Sequence, residues 1–164
     1  MKLRILSKTE TEIYGATHMA QITYLDLAAA PAALTYNLNV LPGTISGVLP
    51  APGTTGTDNL PTYFKTELVG YILDQQFAGG AIATATVTIG DTASAGRYAA
   101  AFTVFTDNTA TTGTGIIANQ PYVNVAATAL KCLFTTTTGN VNVATQGSIR
   151  LFFKCVDMTQ LPLS

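Results

Sequence analysis

The sequence predicts an all-β fold, an antiparallel β-sandwich of jelly-roll-like form. Three observations carry this reading. First, 28 of the 164 residues are threonine and only 10% are charged, where an ordinary soluble domain carries about 25% charge. Small, β-branched, uncharged side chains suit a pleated surface. Second, the apolar residues alternate with polar ones over short runs, the period of a half-buried strand. Third, Gly, Pro, Asn and Asp punctuate the runs at regular spacing, and no credible helix interrupts them. The 48% hydrophobic content excludes disorder, and the length suffices for one core without disulfide or metal staples.

The clearest alternation lies in residues 81–105, AIATATVTIGDTASAGRYAAAFTVF. It reads as two strands around a polar loop, with Ile82, Val87 and Ile89 mixed with Thr84, Thr86 and Thr88, and with Tyr98, Phe102 and Val104 sharing one parity. Before it, residues 1–16 read as an N-terminal arm or short strand, and residues 10–15 as a connector. Residues 17–164 read as a single sandwich domain. Within it, residues 19–27 form a strand with Ile22 and Tyr24 on one parity, Pro31 makes 28–33 a turn, and 34–41 form a half-buried strand. Residues 42–61 form a long loop rich in Pro and Gly. Loops of this length are commonly functional or mobile: this one reads as a contact loop that orders against a neighbour, with Ile45, Val48 and Leu49 as candidate interface residues, or as a plain flexible loop. Residues 62–73 form a strand, with Gly70 indicating a bulge. Residues 106–115 form a polar tip, 116–118 pair briefly, and Tyr122, Val123 and Val125 belong to a short strand. Residues 128–137 and 148–157 are long strands.

The two long strands present one face each to the core: Leu130, Cys132 and Phe134 on the first, and Ile149, Leu151, Phe153 and Cys155 on the second. Leu133 and Phe152 lie on the opposite faces, among Lys131, Arg150 and Lys154. Either a layer of the same chain or a partner subunit covers them, which makes both candidate interface residues. Cys132 and Cys155 are buried free thiols or a cross-strand disulfide.

Chemistry is sparse. The only histidine, His18, has no flanking motif and reads as a surface or edge residue. Asp91 reads as a turn residue, with too few acids nearby for calcium, and no CxxC occurs. Residues 111–116, TTGTGI, lack the lysine of a phosphate-binding loop. No catalytic, metal or cofactor site is expected, and the chain is not expected to be an enzyme. A net charge of −1 without a basic face argues against nucleic acid. No run approaches a membrane helix and no signal peptide is visible. A surface with so little charge is poorly guarded against association, so an oligomer or an assembly component is expected.

Four stretches, LDLAAAPAALTYNLNVLP, ELVGYILDQQFAGGAIATATVTIGD, AGRYAAAFTVF and SIRLFFKCVD, resemble small structural proteins of tailed bacteriophages over residues 22–157. The long 42–61 loop and the two cysteines depart from that pattern. The resemblance implies a virion component made in the bacterial host cytoplasm: a capsid decoration (cement) protein, trimeric, contacting the major capsid protein. The alternative is a tail- or fibre-associated protein that binds a receptor or glycan, with Tyr63, Tyr71 or Tyr122 as aromatic platform.

Overall fold

In a computed structural model, residues 2–39, 63–105, 121–125 and 128–158 are described. They form β1 (Lys2–Ile5), α1 (Lys8–Tyr14), β2 (His18–Thr23), α2 (Tyr24–Leu27), β3 (Thr35–Asn39), β4 (Phe64–Ala78), β5 (Ala85–Asp91), β6 (Ala99–Thr103), β7 (Tyr122–Val123), β8 (Leu130–Thr136), a 3-10 turn at Val141–Val143, and β9 (Gln146–Asp157). The expected contact loop with Ile45, Val48 and Leu49, the polar tip and the 116–118 pairing lie outside the described residues.

The fold is all-β with two antiparallel sheets, ordered β1-β2-β9-β4-β7 and β3-β8-β5-β6. Their pairing is nested: β5 pairs with β6, β4 with β7, β3 with β8, and β2 with β9. Both sheets contribute to one core. From the first come Ala20, Ile22, Leu68, Tyr71, Leu73, Ile149, Leu151 and Phe153; from the second come Val87, Ile89, Phe102, Leu130, Cys132 and Phe134. The alternation read in residues 128–137 and 148–157 therefore points as expected, and both cysteines are free and buried. On β4 the inward set is Phe64, Thr66 and Leu68 before an irregularity at Leu68/Gly70, and Tyr71 and Leu73 after it. The extra residue of a bulge switches the face, which is why no single parity describes this strand.

Two short helices correct the reading of the N-terminal region. Residues expected as a connector form α1. Ser7 Oγ accepts from the Glu10 backbone N–H at 3.3 Å, and Glu10 Oε2 accepts from the Ser7 N–H at 3.0 Å. This reciprocal capping box satisfies two orphan donors, and Gly15 ends the helix at φ 65, a left-handed conformation that glycine adopts without steric cost. The strand expected to run to residue 27 stops at Thr23. There Asp26 Oδ2 accepts from the Thr23 N–H at 2.8 Å and from its hydroxyl at 3.0 Å, starting the single turn of α2. Tyr24 is thus a helix residue.

The segment with β1 and α1 adds an edge strand and a cover to the first sheet. Leu6, Ala16, Met19 and Phe152 form a second apolar cluster on that sheet's outer face, with Val69 and Ile72 against it. The Tyr14 ring stacks on Phe152 at 5.0 Å. Of the two covers open to Phe152, its own chain or a partner subunit, it is the same chain that buries it, so this candidate interface residue is not at a free surface. Burying an aromatic ring removes a large apolar area from water, and residues 6–19 supply the lid.

Candidate functional site

Charge is distributed unequally between the two sheets. The first carries Arg4 on β1, Lys65, Glu67 and Asp74 on β4, and Arg150 and Lys154 on β9. Arg150 makes a two-pronged ion pair with Asp74, and Arg4 makes one with Glu10 of α1. Arg4, followed by the Ser7 donors, holds the Glu10 carboxyl down to about 2. On the second sheet, Lys131 is the one charged side chain of the outer face among the described residues; Asp91, at the end of β5, is buried.

That outer face has a regular composition. The register aligns Thr35 with Thr135, Thr135 with Thr86, and Thr86 with Thr103. A row of four threonines therefore crosses all four strands. Their strand neighbours Ala85, Val87, Phe102 and Phe134 are buried, so alternation turns the threonines outward. In the adjoining row Leu133 sits between Asn37 and Thr88, half-buried. Of the two expected interface residues that are described, Leu133 lies half-buried on this outer face and Phe152 is buried.

Where the ends of the sheets meet there is a cavity of about 300 Å³. One wall is the β5–β6 turn. Gly90 permits it: a Cβ there would lie 2.1 Å from the Ser94 carbonyl oxygen. Asp91 then caps the turn, its Oδ1 accepting from the Ala93 N–H at 2.9 Å and the Ser94 N–H at 2.8 Å. Its Oδ2 accepts from Arg97 Nε. The Asp91 side chain is 1% exposed and that of Arg97 23%. Such a pair is stable because the buried carboxylate has several donors. The opposite wall comes from β7 and the residues after it. The Arg97 guanidinium carbon lies 3.8 Å from the centre of the Tyr122 ring, within cation–π range. Asn124, Val125 and Thr128 complete the lining. Below, Tyr98 is buried, and that burial, followed by the charge of Asp91, pushes its phenol well above the usual range.

The tyrosines expected as a glycan platform do not converge. Tyr122 lines the cavity, Tyr63 is exposed at a positive φ of 63, and Tyr71 is a core residue stacked on Phe102 at 4.2 Å. His18 is an internal strand residue between β1 and β9 rather than an edge residue. Burial lowers its pKa to about 4, and its described ring partner is the Thr17 hydroxyl. Burial also raises both thiols, Cys155 to about 12 despite the nearby Thr66 hydroxyl, and Cys132 further. Neither is a nucleophile near neutral pH. Among the described residues no three His, Cys, Asp or Glu side chains gather to hold a metal ion, and no helix is long and apolar enough to cross a membrane.

The sequence reading missed Arg97. The signal was present: Asp91 and Arg97 stand six residues apart in a stretch with almost no other charge. Opposite charges there are expected to pair if either is buried. Comparison of the chain with family models, with curated proteins and with solved structures gives no match.

Proposed function

We propose that this chain is a structural virion protein, a capsid decoration protein of the tailed-bacteriophage kind, and that its two sheets form a jelly-roll-like β-sandwich. The nested pairing supports the fold. A hairpin-like ribbon pairing β2–β9, β3–β8, β4–β7 and β5–β6, rolled across two sheets, is the arrangement of a jelly roll. Such folds recur in viral capsid domains and in lectins, so topology alone does not choose a function.

The observation that carries the assembly reading is the threonine-lined outer face of the β3-β8-β5-β6 sheet. Charged side chains are costly to dehydrate, while hydroxyls and methyls tolerate an interface. This sheet presents four aligned threonines with Leu133 beside them, and the charged residues lie mostly on the other sheet. A shell protein gains hold from many copies of a modest contact, which a neutral face of this kind supplies. The chain then acts as a homo-oligomer, a trimer in the resemblance, seated on the major capsid protein.

The test uses the full chain and a double variant, T86K/T135K, which places two lysines on the face without touching the core. Sedimentation velocity and co-sedimentation with tailed-phage head shells read the outcome. The expected result is an oligomeric, shell-binding wild type and a folded variant that is monomeric and unbound. A wild type that stays monomeric and shows no affinity for shells overturns the reading.

A further inference from the structure

We propose that the cavity between the β5–β6 turn and β7 binds a small ligand carrying a single planar carboxylate, through the unused edge of Arg97. The guanidinium of Arg97 is only partly engaged by the described residues. It has five N–H donors in a planar fork. Nε is committed to Asp91 Oδ2, and one face of the group lies over the Tyr122 ring. The Nη donors make no hydrogen bond among the described residues, and Arg97 lines the cavity. The two anchors, one through an edge and one through a face, hold the fork in place before any ligand arrives. Preorganisation of this kind reduces the ordering cost of binding.

The chemistry of the lining narrows the ligand. Asp91 is saturated by two backbone N–H groups and Arg97, so it offers no acceptor to a cation. Its charge balances that of Arg97, so a doubly charged phosphate would bring excess negative charge against a buried carboxylate. A monoanionic carboxylate matches the fork in shape and charge. The Ala93 and Val125 side chains and the Tyr122 ring provide an apolar wall for its body, and the Thr92 and Thr128 hydroxyls provide polar edges. The volume is at the small end of ligand pockets. This site stands apart from the threonine face, and neither depends on the other.

The experiment titrates the full chain with benzoate and with galacturonate, each beside its uncharged counterpart, benzamide and galactose. Arginine side-chain and tyrosine ring resonances are followed by NMR. Saturable shifts at Arg97 and Tyr122 are expected with one or both acids, at a Kd of about 1 mM or tighter, and not with the neutral compounds. Response to benzoate alone identifies an aromatic acid, and response to galacturonate alone an acidic sugar. Arg97→Lys keeps the charge and loses the fork, and is expected to weaken binding about tenfold. Thr128→Val is expected to weaken it less. Equal shifts from acids and neutral compounds, no saturable shift from either acid, or equal saturation by sulfate overturns the proposal. The wild-type comparison decides it even if the arginine variant fails to fold.

Discussion

Replacing Arg97 by glutamine tests how the turn at the cavity is held. The Asp91 carboxylate is 1% exposed and keeps two backbone donors, at 2.9 and 2.8 Å, after the guanidinium is gone. The variant loses a charge-assisted hydrogen bond, about 1.5–3 kcal/mol, and a cation–π contact with Tyr122 of about 0.5–1 kcal/mol. Removing one partner of a fully buried pair costs about 3–5 kcal/mol, and the 23% exposure of Arg97 places this case toward the lower end. The expected loss is about 3 kcal/mol. Asp91→Asn should cost a similar amount, because an amide that accepts from the two backbone N–H groups turns its own donors toward Arg97 Nε. The double variant should be less destabilised than the sum of the singles, by about 1–3 kcal/mol. Urea unfolding followed by circular dichroism, at constant m-value, gives all three numbers. If Arg97→Gln costs less than about 0.5 kcal/mol, the range of ordinary surface changes, the carboxylate is not held as described.

The other predictions concern separate parts of the molecule. Phe152→Ala should cost about 3 kcal/mol, since its ring is clustered with Leu6, Ala16 and Met19 and stacked by Tyr14; a loss under about 1 kcal/mol in urea melts would mean that the N-terminal segment does not cover it. His18 has a folded pKa of about 4 against 6.5 for the free side chain, so its contribution to stability is complete above pH 6.5 and is lost as pH falls toward 4. Unfolding measured across that window should flatten in His18→Gln, and an unchanged slope would refute the burial. Cys132 and Cys155 should resist a thiol reagent at pH 8 in the native state and both react in denaturant; rapid native labelling would show that a thiol is open to solvent.

The strands were legible where alternation was unbroken. Leu130, Cys132 and Phe134 point inward as their spacing requires, and Gly70 marked the bulge on β4. The bulge changes the inward parity just beyond Gly70, so Tyr71, a candidate platform residue, packs inward on Phe102. The helices escaped because α1 buries none of its residues and therefore has no apolar stripe to find. Its signature is in the caps, Ser7 with Glu10 and then Gly15, and α2 repeats it with Thr23 and Asp26. The cavity was not legible, since Arg97 and Tyr122 meet only after the sheets are assembled. The segregation of charge was hidden for the same reason: nested pairing sends β2, β4, β7 and β9 to one sheet and β3, β5, β6 and β8 to the other.

That segregation bears on how copies of the chain meet. Among the described residues the neutral sheet ends in β3 and β6, each five residues long and neither carrying a charge. Open edges invite strand addition, and proteins commonly guard them with lysine, proline or brevity. Here brevity is the visible guard, helped by the register shift between β5 and β6 at Val87/Ile89. Association through such an edge would use backbone N–H and C=O groups and would be largely indifferent to side chains in the middle of the sheet. Association through the face would depend on Thr86 and Thr135, which lie on β5 and β8, the two central strands. The lysine pair at those positions therefore separates the modes. Assembly that survives it runs along the edges, and assembly that is lost while the fold persists runs through the threonine row.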